Sequence, residues 1–458
     1  MKRQALWLST LAAAVLAAQP AFALDLVESW QAALQHDREF AVARAASLTA
    51  QPRRDQANAL WRPRVMLTAT GGVASNETQT QGAQFETPTF GRSNDVAFST
   101  SVTSGTLGRW AVTAQQPLYN PERRAQQQQL DLSANLAELE WLAAQQALIL
   151  RTASRYFDVA LAQESVRVLQ QQREAVERAT TEAQDRFKMG ASPITDTHEA
   201  QARLAGIRAQ VLAAESDLKI KQGLLADSTG LPATSLSTRL PRAQGGTQPM
   251  RALEAWLDDT TTRNPQLRMQ QLAADLAQAD AKKYSLRSSA SVDLVAQAGR
   301  ERLSGSGDFG NASNTATNRM VGIQLSVPLF TGGYRSARET EALRLADKAQ
   351  AEAERTRQDV AQQTRATWLG LQVGAERVQA LDEALKAGTS RRDATQVGRQ
   401  VGDRTTLDVL NAQNDTAQAR LAVSQARVAL LLDRLRLAAL AGQLDASALQ
   451  AVNQDLGD

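Results

Sequence analysis

The sequence predicts a mixed, mainly α-helical fold built from two copies of one unit, each with a pair of β strands followed by a very long helical hairpin. Three observations lead to this prediction. One motif occurs twice, four segments alternate between apolar and small or polar residues, and two long stretches consist mostly of strong helix formers. Internal repeats determine architecture, because each copy of a repeat forms one structural unit.

The two copies of the repeated motif are Met189–Gln201 and Val401–Gln413. They share residue types at matching positions, which are Gly190, Asp196, Ala200 and Gln201 in the first copy and Gly402, Asp408, Ala412 and Gln413 in the second. A period of roughly 210 residues predicts two units of the same design. The predicted first repeat spans residues 24–240, the second 241–445, and a C-terminal tail 446–458.

The first residues have the pattern of a secretory signal peptide. Lys2 and Arg3 form a basic start, Ala5–Ala18 is apolar, and Ala21–Ala23 has the small residues of a cleavage site. The alternative, an N-terminal membrane anchor, is disfavoured because the apolar run is shorter than the roughly 18 residues that a membrane helix needs. Residues 1–23 are therefore predicted to be a signal peptide.

The composition argues against several classes of function. The formal net charge is only +3, which does not provide the basic surface of a nucleic-acid-binding protein. The absence of cysteine excludes disulfides, a thiol nucleophile and the lipid-bearing cysteine of a bacterial lipoprotein. The two histidines, His36 and His198, have no metal-ligand spacing around them, and no phosphate-binding loop or nucleophile elbow occurs. We therefore expect no enzyme activity, no cofactor and no metal site.

The first pair of predicted strands lies within residues 64–118. Its first segment alternates, so that Val65 and Leu67 lie on one face and mostly small or polar residues on the other. The polar residues 74–95, rich in Gln, Thr and Asn, predict a loop between the two strands.

The second pair lies within residues 290–330. Here Val321, Ile323 and Leu325 share one face and alternate with glycine, glutamine and serine. The Gly-, Ser- and Asn-rich residues 299–318 predict a loop that connects the two strands.

Each strand pair precedes a predicted helical hairpin, at residues 122–228 and 334–441. The stretch Glu122–Met189 contains neither glycine nor proline and would form a helix of ~100 Å at 1.5 Å per residue. Ser192 is the expected N-cap of the next helix, with Pro193 in its first turn. Apolar residues in the later helices recur with a period of 3.5, which predicts left-handed coiled coils.

Alternating segments with polar turns are typical of transmembrane β-barrels, and a signal peptide is needed to reach the outer membrane. Four strands cannot close a barrel, and open strand edges are not tolerated in lipid, so several copies must combine. Three copies would give an open lumen, whereas two would give a small, filled barrel. A soluble coiled coil would explain the helices but not the strands. The residues that we expect to face lipid are Val65, Leu67, Val321, Ile323 and Leu325.

Five motifs in this order resemble those of the TolC family of outer-membrane channels, and the resemblance covers nearly all of the sequence after the signal peptide. They are Pro117–Asn120, Arg155–Asp158, Met189–Gln201, Val327–Gly333 and Val401–Gln413. The resemblance implies a homotrimer in the bacterial outer membrane. It also implies a transmembrane barrel of twelve strands, four from each chain, which continues as a long periplasmic α-helical coiled-coil barrel. A mixed belt of linker and tail residues is implied around that helical barrel.

The resemblance further implies the exit duct of a tripartite export system. Such a duct receives substrate from an inner-membrane ABC or proton-driven transporter through a periplasmic adaptor, or membrane fusion, protein. It serves type I protein secretion, multidrug efflux or both, and Leu26–Phe40 and Tyr156–Asp158 are more similar to the secretion branch. The alternative is a periplasm-spanning structural coiled-coil protein without a pore.

In the family, the two repeated motifs form hairpin tips at a periplasmic gate. By position, Asp408 matches an aspartate of an acidic ring, and Asn411 stands where a second ring aspartate is found. Arg404 matches an arginine that ties one tip to another, and Thr195 and Asp196 match its partners. The competing explanation is local, because a carboxylate in the first turn of a helix is favoured by the helix dipole by roughly 0.3–1 kcal/mol.

Gly190 and Gly402 are expected at the turns of the hairpin tips, where they would contact the adaptor. A turn between two long helices needs a residue with free backbone geometry, which glycine provides. Arg399 stands where the family has a gate aromatic, so that particular contact is not expected in this chain.

Overall fold

A computed structural model describes residues 25–89, 91–233, 238–242, 251–285, 290–308 and 310–457. The predicted signal peptide, residues 1–23, lies outside the described residues. The elements follow one another as α1 (Leu26–His36), α2 (Arg38–Ser47), α3 (Ala50–Ala59), β1 (Arg64–Thr87), β2 (Gly91–Tyr119), α4 (Pro121–Lys188), α5 (Ile194–Thr229), α6 (Leu253–Arg263), α7 (Pro265–Tyr284), β3 (Ser291–Gly307), β4 (Gly310–Ser326), α8 (Tyr334–Gln400), α9 (Thr406–Leu440) and α10 (Ala446–Gln454).

The chain divides into two compact units. One comprises the described residues up to Leu48, those within Leu136–Gln271 and those from Ala351 onward. The other comprises Thr49–Asn135 and Leu272–Gln350, and it contains all four strands. These units differ from the two sequence repeats, which remain a prediction.

The four strands form one antiparallel sheet in the order β1-β2-β3-β4. The prediction of loops at residues 74–95 and 299–318 is wrong, because β1 and β2 continue through most of the first stretch and β3 and β4 through most of the second. The backbone ladder supplies the hydrogen bonds, so polar Thr, Gln, Asn and Ser residues can extend a hairpin without an apolar face. β1 ends at Thr87 and β2 begins at Gly91, and β3 ends at Gly307 and β4 begins at Gly310.

The other unit has a core in which α1, α4, α9 and α10 meet. Leu26, Tyr156, Leu435 and Leu449 are fully or almost fully buried in it. The Tyr156 hydroxyl accepts a hydrogen bond from the Arg239 backbone N–H at 2.9 Å, and burial raises the pKa of Tyr156 to about 12. The C-terminal tail, for which the sequence predicted no structure, therefore contributes a helix to the main core.

The two helical hairpins agree with the helix predictions. α4 has 68 residues and covers the stretch without glycine or proline, and α8 has 67. α8 continues without a break through Gly370, Gly374 and Gly388, so its packing outweighs a propensity cost of ~1 kcal/mol per glycine.

The start of α5 differs from the prediction. The helix begins at Ile194, its N-cap is Pro193, and no side chain caps it. Ser192 lies one residue too early, and its buried hydroxyl has no hydrogen-bond partner within the described structure. Pro193 occupies the N-cap because its extended backbone, with φ −69° and ψ 156°, leads directly into the helix.

Within the described ranges, no helix combines the length and the apolar character that crossing a membrane requires.

Candidate functional site

The two hairpin ends turn in the same way at matching glycines. Gly190 and Gly402 have φ values of 70° and 88°, which L side chains rarely adopt, and an added Cβ at either would meet only open space. In each copy the next residue closes the turn, as Ala191 N–H donates to Arg186 O and Asp403 N–H donates to Gly398 O. Backbone conformation rather than lack of space therefore explains the two glycines.

Asp408 takes part in a reciprocal cap at the start of α9. Its carboxylate accepts hydrogen bonds from the Thr405 N–H at 2.9 Å and the Thr405 hydroxyl at 2.8 Å. The Asp408 N–H in turn donates to the Thr405 hydroxyl oxygen at 3.1 Å. The backbone hydrogen bond from Thr405, and then its hydroxyl, lower the pKa of Asp408 below its usual range. Asp408 therefore has a local role in stabilising the first turn of α9, as the competing explanation expected. The same hydrogen bonds keep its exposed carboxylate ionised.

Asp196 holds the matching position on α5 but makes no such cap. Its N–H donates to Pro193 O at 3.2 Å, and the side chains of Thr195 and Asp196 are exposed. The two copies of the motif therefore begin their helices differently, because Thr405 provides a hydroxyl at the N-cap and Pro193 does not.

Arg404 and Asp196 line one cavity of about 430 Å³ between the hairpin ends. No hydrogen bond or ion pair among the described residues joins Arg404 to Thr195 or Asp196 within the chain. Since the expected tie runs from one hairpin tip to another, a link between neighbouring copies remains a prediction.

Asn411 accepts a hydrogen bond from Arg203 of α5, with Nη1 and Oδ1 2.9 Å apart. Arg203 also lies 3.7 Å from Glu199 on its own helix. Asn411 is one turn from Asp408, so the two residues share a helix face. The neutral side chain at position 411 thus connects α5 to α9 instead of adding a second carboxylate.

A further link between the hairpins was missed by the sequence reasoning. Arg399, near the end of α8, forms an ion pair and hydrogen bond with Glu182 near the end of α4. Glu182 also lies 3.5 Å from Arg186 one turn along its own helix. The resemblance had directed attention to position 399, but nothing in the sequence indicated which acidic residue would pair with Arg399.

The apolar residues beside the two turns are strongly exposed. Met189 and Val401 immediately precede the turn glycines and are 74% and 76% exposed. Single exposed apolar side chains are common on protein surfaces, so what distinguishes these two residues is their matching position in the two copies of the motif.

The second predicted site lies on one face of the sheet. Its five residues are between 67% and 77% exposed and belong to β1 and β4, namely Val65, Leu67, Val321, Ile323 and Leu325. Exposed aliphatic side chains in strict alternation favour contact with lipid over contact with water.

No group of acidic and histidine side chains within the described ranges could hold a metal ion.

The family is decided by a model described as "Outer membrane efflux protein", which matches residues 30–231 and again residues 256–443. The chain belongs to the outer membrane efflux protein family. Each matched stretch contains one of the hairpin ends described above. The resemblance inferred from the motifs is thereby confirmed.

Relatives from the family support this assignment. The outer membrane protein TolC of Vibrio cholerae is 29% identical over 328 residues, which are 70% of this chain and 74% of that protein. The alkaline protease secretion protein AprF of Pseudomonas aeruginosa is 26% identical over 457 residues, 99% of this chain and 91% of that protein. The crystal structure of VceC from Vibrio cholerae has a TM-score of 0.70 at 19% identity and covers 91% of this chain and 96% of its own.

The fold class predicted from the sequence agrees with these structures. This outer membrane efflux protein is an export channel of the outer membrane with a large periplasmic helical part. The family consists of channel and transport proteins rather than enzymes.

Proposed function

We propose that three copies of this chain form one duct through the outer membrane, with twelve strands around a single lumen. Among the described residues of the chain, the edge strands β1 and β4 each have a neighbour on only one side. An unpaired edge in lipid leaves backbone groups without hydrogen bonds, at a cost of several kcal/mol for each group. Twelve strands close the sheet and leave an open lumen. The two open edges are the observation that carries this proposal.

The hairpin ends form the periplasmic mouth of that duct. One Asp408 from each copy forms an acidic ring, which attracts cations and disfavours anions. Asn411 adds no charge, so the ring is single. Arg404 reaches Thr195 or Asp196 of a neighbouring copy and holds the mouth closed at rest. Each such link is worth under about 1 kcal/mol when exposed, but symmetry repeats it three times.

The ends of the hairpins also receive a periplasmic adaptor protein, around Gly190 and Gly402. The exposed Met189 and Val401 beside these turns support this contact. The adaptor connects the duct to an inner-membrane transporter.

Type I protein secretion with an ABC transporter fits the pattern of relatives best, with drug efflux by a proton-driven pump as the other use. AprF and the proteases secretion protein PrtF of Dickeya chrysanthemi match over 99% and 97% of this chain. The TolC proteins of Vibrio cholerae and Escherichia coli match over 70% and 71%.

Barrel extraction and conductance test the proposal against a structural coiled coil without a pore. The purified protein should migrate differently in gels before and after heating, and it should give discrete single-channel currents in planar bilayers. Protein that extracts from the outer membrane but gives no current would contradict the duct. Deletion of the gene separates secretion from efflux. The secretion of a protease-type substrate is measured in the deletion strain.

A further inference from the structure

Residues that pair across neighbouring strands form rows that run across the sheet, with one residue from each strand. The row with Val65 continues through Ala114 and Ala296 to Val321, and all four residues are apolar. Paired residues of antiparallel strands lie on the same face, so the rows can be followed along the sheet. We call this surface the aliphatic face, because it carries the five residues proposed above to face lipid.

Three arginines interrupt the aliphatic face on the side of the strand turns. Arg319 is in the row next to Val321, and it pairs with Ala298. Arg300 pairs with Thr317, and Arg302 pairs with Thr315. Arg300 and Arg302 are two residues apart on one strand, and Arg319 is diagonal to Arg300, roughly 7–8 Å away on a sheet of this kind.

These three residues are the only charged side chains on the described rows of the aliphatic face, which run from Leu325 of β4 to Ser313. All three are exposed. The described structure gives none of them an acidic partner, and Arg302 donates only to the Ser304 hydroxyl at 3.3 Å. Three neighbouring cations thus project from a surface that has no carboxylate.

The opposite face of the same sheet has a different pattern of charge. There Arg109 of β2 pairs with Glu301 of β3, with Nε and Oε2 3.7 Å apart. Asp293 lies on that face as well, and the remaining side chains are mostly small or polar. Side chains of both charge signs are typical of the water-filled interior of a barrel. The three arginines beside the apolar band have no carboxylate on their own face, so an anion outside the chain must neutralise them.

The position of the arginines along the strands decides which anion can reach them. β3 begins at Ser291 after α7, β4 ends at Ser326 before α8, and the two strands are connected to each other between Gly307 and Gly310. The arginines are on the turn side of the aliphatic rows, away from the strand ends that lead to α7 and α8. Because the helical part is periplasmic, this side is the outer leaflet.

Lipid contact restricts the arginines to the level of the headgroups. An arginine on the lipid face costs about 2–4 kcal/mol at the midplane and about 0–1 kcal/mol near an interface. Trp110 pairs directly with Arg300 across β2 and β3 and is 47% exposed. Tryptophan is enriched at the boundary between hydrocarbon and headgroups, so this row marks that boundary.

We propose that Arg300, Arg302 and Arg319 form a binding surface for the phosphate groups of anionic lipid in the outer leaflet. Guanidinium groups bind phosphate through paired, charge-assisted hydrogen bonds. The proposal rests on the orientation of the sheet proposed above, with its aliphatic face toward lipid. Lipid phosphate bound here fixes the height of the barrel in the membrane and stabilises the assembled channel.

Thermal unfolding of the assembled protein in a non-ionic detergent tests this surface. Dihexanoyl phosphatidic acid should raise the unfolding midpoint of the wild type by several degrees, because a ligand that binds only the folded state stabilises it. Dihexanoyl phosphatidylcholine and inorganic phosphate at equal concentration should leave the midpoint unchanged. The variant with Arg300→Gln, Arg302→Gln and Arg319→Gln should lose the shift.

Arg109→Gln is the matched control, since it removes an exposed arginine from the opposite face of the same sheet and should keep the full shift. If the triple variant assembles poorly, Arg302→Gln alone should reduce the shift in part. An equal shift in the triple variant or in Arg302→Gln, or no shift in the wild type, would overturn the proposal. An equal shift with inorganic phosphate would also overturn it, since that result indicates a free-anion site.

Single-channel recording of the same preparations separates this inference from the proposed duct. Wild-type protein that conducts normally but shows no dependence on phosphatidic acid refutes the lipid surface alone. Wild-type protein that does not conduct refutes the duct.

Discussion

Arg399 and Glu182 join the two helical hairpins within one chain. They are 217 residues apart in the sequence, and their side chains are only 28% and 35% exposed. Arg186 adds a second cation to the same carboxylate. A partly buried ion pair with a third charged member is less screened than an isolated surface pair. In this chain a charged contact therefore joins α8 to α4 close to the two hairpin turns.

Loss of this link should loosen the mouth. Glu182→Gln removes the charge with little change of shape, and we expect a higher resting conductance in planar bilayers. High salt should likewise loosen the closed mouth of the wild-type channel, because it screens the ion pair between Arg399 and Glu182. Exchange of the charges, with Glu182→Arg and Arg399→Glu together, should restore low resting conductance.

Asp415→Asn provides the control for this experiment. Asp415 pairs with Arg391 inside the second hairpin, so its loss should leave the resting conductance unchanged. A charge exchange that is as leaky as the single substitution would show that the pair does not hold the mouth.

Asp408→Asn should abolish the block of the channel by a trivalent cation added on the periplasmic side. Asparagine keeps an oxygen that can accept the hydrogen bonds from Thr405, so the start of α9 should persist while the charge is lost. Arg404→Ser should instead raise the resting conductance and keep the block. Unaltered block in Asp408→Asn would show that the Asp408 carboxylate only caps α9 and does not bind the blocking cation.

The block should also resist mild acid. The hydrogen bonds from Thr405 lower the pKa of Asp408 below its usual value of 3.8. A group with a lowered pKa stays ionised until the pH falls through that lowered value, so the block should be the same at pH 7 and at about pH 5. Loss of block near pH 5 would show that repulsion among the three ring carboxylates raises the pKa of Asp408 by more than Thr405 lowers it, or that a different carboxylate is responsible.

Ile323→Arg should impair assembly of the channel. A charge at this position costs roughly 2–4 kcal/mol if the site is near the middle of the membrane. Gln324→Arg is the matched control, because the next residue along β4 lies on the opposite face. The yield of assembled protein in outer-membrane extracts measures both. Normal yield for Ile323→Arg, together with reaction of Ile323→Cys with a water-soluble thiol reagent, would contradict the orientation of the sheet.

The sequence was sufficient to predict the helices and strands in which apolar residues recur with a regular period. Alternation located the beginnings of β1 and the end of β4, where Val65 and Leu325 mark the aliphatic face. It did not show how far the strands continue, because residues such as Thr78 and Asn314 pair through their backbones and leave no apolar signal. The glycines of the hairpin turns were predictable because few other residues adopt their backbone conformation.

Contacts between distant segments were not predictable. Leu449 in the tail is buried by partners such as Leu26 and Tyr156, which belong to other parts of the chain. The acidic partner of Arg399 and the partner of Asn411 likewise depend on how two hairpins align. A local role of Asp408 at the start of α9 was predictable as an alternative to the gate. Thr405 and Asp408 are three residues apart, which is the spacing of a capping box.

Leu449→Ala should destabilise the core that the tail completes. Leu449 is fully buried between helices, so its truncation should lower the free energy of unfolding by about 2–5 kcal/mol. Gln450→Ala changes an exposed neighbour on the same helix and should have little effect. Denaturant unfolding of the detergent-solubilised protein compares the two. Equal stability of both variants would show that α10 is not part of the core in solution.

The mass of the conducting species tests the central claim most directly. Purified protein is separated by size, the mass of each fraction is measured by native mass spectrometry, and each fraction is recorded in planar bilayers. We predict stable single-channel currents only from the fraction with three chains, because four strands from each copy must close together. Stable currents from a fraction that contains a single chain would contradict the account.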